Sequence, residues 1–249
     1  MDKTVLNDHR AKQGGNIANQ KNAHRMPNWA YNTMTVESDG SETGDEQLRC
    51  FVNVAITEDD QLTFSGHLPM PEELDIGSAP HGGIKDDASL MDAMRQIADP
   101  ETEDFKKASL LKQIKMYHNK RTLGYSSWYG WCSNVWGTKW DAADSNVTTK
   151  QGGIEIVFNT AWDLPRGWLQ HIIELPECSH LRIHLVCEAE GESVLLDENG
   201  EKMEYDEDDV TSDNWYQSAE YITKEPNNDG EISHYHKTAE QRWKDGEFN

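Results

Sequence analysis

Trp128 to Ala142, WYGWCSNVWGTKWDA, packs four of the chain's nine tryptophans into thirteen residues. Its reading decides whether the aromatic residues build a core or a binding surface. Counted from Trp128, the residues Trp131, Val135 and Trp136 fall at i+3, i+7 and i+8, one face of a helix, and Gly137 stands where a left-handed cap would end it. Large rings at that spacing fill the gap between a helix and a sheet; the competing reading is a stacking platform for bases, sugars or a peptide. The spacing favours core. Trp128, Trp131, Trp136 and Trp140 are therefore expected inside, with Trp29, Trp162 and Trp168 as further members of an aromatic core, and TKWDA is expected to run on as a short strand.

Upstream, MPNWAYNTMTVES from Met26 alternates: Trp29, Tyr31, Thr33 and Thr35 fall on one side, Ala30, Asn32, Met34 and Val36 on the other. β-Branched and aromatic residues in that pattern predict a strand. EQLRCFVNVAI places Leu48, Phe51, Val52 and Ala55 at helical spacing, a short amphipathic helix. QLTFSGHLPMPEEL reads as a strand stopped by Pro69 and Pro71. Asp86 to Lys120 is helical by pattern and broken at Asp99-Pro100, so two helices are expected.

Downstream, GGIEIVFNTAW predicts a strand with Ile154, Ile156 and Phe158 on one face. LPRGWLQHIIELP predicts a helix presenting Trp168, Leu169, Ile172 and Ile173 to the body. HLRIHLVCEAE and ESVLLDENG read as two strands paired as a hairpin near Gly191. The expected class is α+β: a ferredoxin-like (split βαβ) antiparallel sheet with helices on one face, a helical insert at about 86–120, and polar terminal arms. Residues 1–25 are expected as a flexible arm, 26–200 as the body and 201–249 as an acidic C-terminal region.

Five strings in order, MPNWAYNTMTV, LTFSGHLPMPEEL, WYGWCSNVWGTKWDA, IVFNTAWDLPRGW and HLVCEAEGES, resemble the YubB-type ferredoxin-like family of small accessory proteins of bacteriophages and conjugative plasmids. The resemblance runs from about Met26 to Ser193. It implies a ferredoxin-like fold and a home on mobile DNA, and it supplies no catalytic residue. Family members begin at a motif like MPNW, so either Met1 or Met26 is the natural start. The insert near Asp86 to Lys120 and the acidic C-terminal region depart from the family pattern.

Charge is the strongest compositional signal. Among 249 residues the formal net charge is -22. Met1 to Arg25 carries five basic and two acidic residues, whereas Glu188 to Asn249 carries five basic and nineteen acidic. Such a balance repels nucleic acid and anionic membranes and favours basic partners. No run of eighteen apolar residues and no apolar leader occur, so a cytoplasmic protein without a membrane span is expected. Cys50, Cys132, Cys178 and Cys187 are scattered, as suits reduced thiols.

Chemical motifs are sparse. Cys178, His180, His184 and Cys187 are dense enough in ligands to suggest zinc, but Cys187 has the opposite parity along a strand, so no metal site is expected. Asp197 to Asp208 fails as a calcium loop because Lys202 stands where glycine is needed. No GxSxG, GxxxxGK[ST] or HExxH is present. Asp141 and Asp163, each following a tryptophan, are expected to cap turns rather than transfer protons, and no cofactor is expected.

The functional expectation is a non-enzymatic phage or plasmid protein that binds a host protein with a basic surface, in the form of an acidic DNA mimic acting on a defence or DNA-processing factor. The expected contact residues are Glu204, Asp206, Glu207, Asp208, Asp209 and Asp213, with Trp215 and Tyr216 as aromatic anchors. The alternatives are a single-stranded nucleic-acid-binding module, since such sheets present aromatics to unpaired bases, and an uncharacterised enzyme.

Overall fold

β1, Trp29–Ser38, buries every second residue: Ala30, Asn32, Met34 and Val36 face the core while Tyr31 and Thr33 face away. The alternation seen in the sequence thus sets the inner face of the whole sheet. A computed structural model of the chain describes residues 29–77, 83–196, 215–227 and 232–248. The expected N-terminal arm, residues 1–25, lies outside them.

After β1 the chain enters α1, Glu42–Ala55, whose N-cap Ser41 accepts a hydrogen bond from the Gly44 N–H at 3.0 Å. Phe51 and Ala55, one turn apart, are its buried residues at the core. QLTF, expected as a strand, instead feeds a single turn, α2 (Phe64–His67), and then a 3-10 turn at Glu72–Leu74. The insert is two helices as expected, α3 (Asp87–Ala98) and α4 (Asp104–Leu123), with the break at Asp99-Pro100. Asn119 of α4 donates to the Glu73 carbonyl at 2.6 Å, tying the insert to the body.

α5, Trp128–Trp131, continues into a π-turn over Cys132–Trp136 that closes on Gly137, φ +89°. β2 (Ala143–Lys150) and β3 (Gly153–Ala161) form a hairpin, followed by α6 (Arg166–Glu174) and β4 (Leu181–Leu195). Trp168, Leu169, Ile172 and Ile173 of α6 are all buried. TKWDA is a bend rather than a strand. β4 is one strand: the Gly191 region is a register shift within its pairing to β5 (Trp215–Lys224), not a hairpin turn. The sheet continues past the expected boundary at residue 200, through β5 to β6, Ile232–Lys237.

The result is an α+β architecture with a six-stranded sheet in the order β2-β3-β1-β4-β5-β6, every neighbouring pair antiparallel. Residues facing one another across the strands, such as Ile156, Met34, Leu185 and Ile222, form the inner face. Phe51, Phe64, Trp131 and Trp168 from the helices close over it in one cluster. Such burial is the main favourable term in folding.

The expectation of helices on one face is corrected by α7, Ala239–Lys244, which lies on the other. Its buried Arg242 donates to Glu188 Oε1 at 2.6 Å and to the Gln217 carbonyl at 2.7 Å, and Glu188 pairs with Ala219 in a row that points away from Ile222. A charge buried there needs such partners, and Arg242 has them. No helix among the described residues is long and apolar enough to cross a membrane.

Candidate functional site

The tryptophans divide into two groups. Trp131, Trp136 and Trp168 are buried as expected, at 7%, 5% and 0% exposure. Phe64 packs against Trp168 at 4.7 Å and against Trp136 at 5.8 Å between ring centroids, and the Trp136 indole N–H donates to the Leu68 carbonyl at 2.9 Å. Trp128 and Trp29 are half-buried. Trp140 and Trp162 are not core: they are 37% and 45% exposed. Trp140 lies beyond the Gly137 cap, and Trp162 lies beyond the end of β3, so neither belongs to the apolar face that precedes it.

These exposed rings gather at one end of the sheet. Register pairs Trp29 with Ala161, which brings the start of β1 beside the end of β3. Trp29 and Trp140 lie 6.1 Å apart, and exposed Tyr129 meets Trp162 edge-on at 6.4 Å. The Lys139 ammonium sits 4.3 Å from the Trp140 ring centroid and 5.4 Å from that of Trp162. A cation between two indole faces is held by their ring quadrupoles and orients both.

The platform is fixed by its flanks. Thr138, buried beside Lys139, donates from its hydroxyl to the Ala161 carbonyl at 3.0 Å, which joins the loop to the residue before Trp162. Asp141 accepts from the Phe64 N–H at 2.6 Å, the Thr63 hydroxyl at 2.8 Å and the Ala142 N–H at 2.8 Å. Asp163 accepts from the Leu164 N–H at 2.7 Å, and its carbonyl accepts from the Thr160 hydroxyl at 2.8 Å. Buried Asn32 on β1 holds that same Thr160 Oγ1 at 2.9 Å. In each Trp-Asp pair the aspartate grips the backbone while the indole before it points outward. The Asp141 carboxylate caps the first turn of α2, whereas that of Asp163 holds the N–H of the next residue.

Trp162 adopts φ +80°, inside the left-handed region. For a residue with a bulky side chain that conformation costs roughly 1–2 kcal/mol, and strain of this kind collects at functional sites. The neighbouring loop closes around Gly137, where an added Cβ would stand 2.8 Å from the Arg166 N–H nitrogen. That glycine is required by both its φ and the close approach of α6.

Compared with family models, curated proteins and solved structures, the chain matches none.

Other expected site residues fall elsewhere. Glu204, Asp206, Glu207, Asp208, Asp209 and Asp213 lie outside the described residues, as does Asp197 to Asp208 as a whole. Trp215 and Tyr216 open β5, paired with Leu195 and Val194 in an interior strand rather than a tail. The four cysteines are free. Burial pushes the thiols of Cys132 and Cys178 up to about 11, and that of Cys187 higher still, which keeps them protonated and unreactive at neutral pH. His180 hydrogen-bonds Asp39 at 2.8 Å and His184 hydrogen-bonds Thr223 at 2.8 Å, so the two histidine side chains serve separate partners. Among the described residues no three His, Cys, Asp or Glu side chains are grouped to hold a metal ion.

The platform has a sequence signature that helical periodicity passes over. Trp140-Asp141 and Trp162-Asp163 each follow a chain terminator, Gly137 in one case and the end of β3 in the other. Aromatic residues just past such an end are free of the preceding face.

Proposed function

We propose that this chain is a non-enzymatic accessory protein of a bacteriophage or conjugative plasmid, acting in the host bacterial cytoplasm, and that its tryptophan platform seats on a host protein with a basic surface. The observation that carries this is the platform itself: Trp140, Trp162 and Tyr129 exposed together, with Trp162 strained to stay so. Interface hot spots favour tryptophan and tyrosine, and rigid aromatic anchors lose little entropy on binding. The net charge of -22 steers encounter with a basic surface, as a mimic of DNA would. The employment of the Asp141 and Asp163 carboxylates in backbone hydrogen bonds, and the burial of three of the four thiols, support binding over catalysis.

The ferredoxin-like reading belongs to the part from β1 to β4. It is supported by the strand order β2-β3-β1-β4, by antiparallel pairing throughout, and by a helix after β1 and another after β3. On this reading β5, β6 and α7 are an extension at the β4 edge. The five ordered motifs support the mobile-element origin.

The experiment is affinity capture from host lysate at low and moderate salt, with the wild type and a Trp140→Ala/Trp162→Ala variant side by side. A DNA-binding protein retained by the wild type, weakened by salt and lost by the variant is the expected result. Retention of the same proteins by both chains, or of none by either, would overturn the proposal.

One observation favours a second reading. Tyr31 on β1 and Val157 on β3 are exposed on the sheet face that Trp29 shares, away from the strands that α7 covers, so the platform continues onto an exposed stretch of sheet of the kind that stacks unpaired bases. Fluorescence anisotropy with labelled single-stranded DNA and RNA at low salt separates the two: no change removes the nucleic-acid reading.

A further inference from the structure

α4 runs against the charge of the chain. It carries six basic residues and one acidic in a protein whose net charge is -22. Its C-terminal half forms one wall of a cleft of about 680 Å³, within the range of roughly 300–1,000 Å³ common for small-molecule sites. Three of the side chains lining it are cationic: Lys85, just before α3, and Lys120 and Arg121 on α4. Ile84 and Met116 add an apolar wall beside them.

Two of the three cations are held by hydrogen bonds. Arg121 donates to the Tyr117 hydroxyl at 2.9 Å and to Asp87 Oδ1 at 2.8 Å, while the Tyr117 hydroxyl donates to the same oxygen at 2.8 Å. This triangle holds the guanidinium over the Tyr117 ring, 5.6 Å from its centroid. Lys120 donates to the Gly124 carbonyl at 2.7 Å, which fixes its ammonium at the end of α4 without neutralising it. Asp87 faces Arg121 and Asp86 lies beside Lys85, so two carboxylates offset two of the three positive charges and the cleft keeps a single net positive charge, centred on Lys120.

We propose that this cleft binds a nucleoside polyphosphate. The phosphates would engage Lys85, Lys120 and Arg121, since charge-assisted hydrogen bonds to phosphate are the strong use of such a cluster. The base or sugar would lie along Ile84 and Met116. The long-range field of an acidic chain repels anions, so a cationic cleft kept within it implies a ligand recognised by local contact. This site is separate from the tryptophan platform and stands without it.

The test is calorimetric titration of the full chain with ATP, adenosine and inorganic pyrophosphate in low-salt buffer. ATP is expected to saturate, pyrophosphate to bind more weakly and compete with it, and adenosine not to bind. Lys120→Gln/Arg121→Gln should weaken ATP at least about tenfold. The far-UV circular dichroism spectrum and unfolding midpoint of that variant should match the wild type, so that the loss of affinity is not a loss of fold. Absence of saturation by ATP at millimolar concentration, or ATP affinity unmoved by the paired substitution, would overturn the site. Adenosine binding as tightly as ATP would overturn the phosphate role, and pyrophosphate binding as tightly would overturn the contact with the base or sugar.

Discussion

Trp168 and Trp162 stand six residues apart and serve opposite ends. Trp168 lies on α6, fully buried against Phe64, whereas Trp162 lies just past β3 with nearly half its surface in solvent and its backbone in the left-handed region. The same residue type near one place in the chain therefore fills a core or makes a surface according to what precedes it. A regular element carries a tryptophan inward on its apolar face; a tryptophan just past the end of such an element, with an anchored aspartate after it, is turned out.

The largest effect should come from the buried member. Trp168→Ala is expected to cost about 3–5 kcal/mol in equilibrium urea unfolding, through lost burial and the cavity left behind. A loss below about 1 kcal/mol would mean that α6 does not pack as described. Next is the anchor under the platform: Asp141→Ala removes acceptors from the Phe64 N–H and the Thr63 hydroxyl and is expected to cost about 1–3 kcal/mol by the same measurement.

Much of this division was readable in advance, and the misses have local causes. The inner face of β1 and the buried side of α6 followed from period alone, because one apolar side had to meet the core. β2 gave no such signal: ADSNVTTK is an edge strand with Val147 as its one large apolar residue. β6 is likewise an exposed edge, and it reads as polar tail. QLTF has strand-like residues, but the Asp141 carboxylate 77 positions away caps Phe64 and starts a helical turn there. Gly191 resembles a turn, yet β4 absorbs it in a register shift, an outcome set by pairing with β5. The exposed platform is not legible in the same way: TKWDA reads as a short strand that would carry Trp140 into the core, whereas the residues after Gly137 form a bend that leaves the ring outside.

Smaller effects sharpen the contrast. Trp162→Gly removes the cost of a side chain at φ +80° and is expected to leave stability unchanged or raise it by up to about 1 kcal/mol, while abolishing capture of a partner. Loss of several kcal/mol would show Trp162 to be packing, not platform. At the other end of the sheet, hydrogen bonds from the Ser41 hydroxyl, from His180 and from the Ser41 N–H hold the Asp39 carboxyl well below its ordinary value of 3.8. A carboxylate with a depressed folded pKa stabilises the fold above its unfolded pKa, and that contribution is lost as pH falls below about 4. The melting temperature of the wild type should therefore fall more steeply below pH 4 than that of Asp39→Asn; parallel curves would contradict the network.

The most direct test of the division is equilibrium unfolding of Trp140→Ala/Trp162→Ala against the wild type, followed by far-UV circular dichroism. Two exposed rings leaving a finished core predict a combined change below about 1 kcal/mol with an unaltered spectrum. A loss of about 3–5 kcal/mol, the size expected for Trp168, would place these tryptophans in the core and contradict the platform on which the proposed function rests.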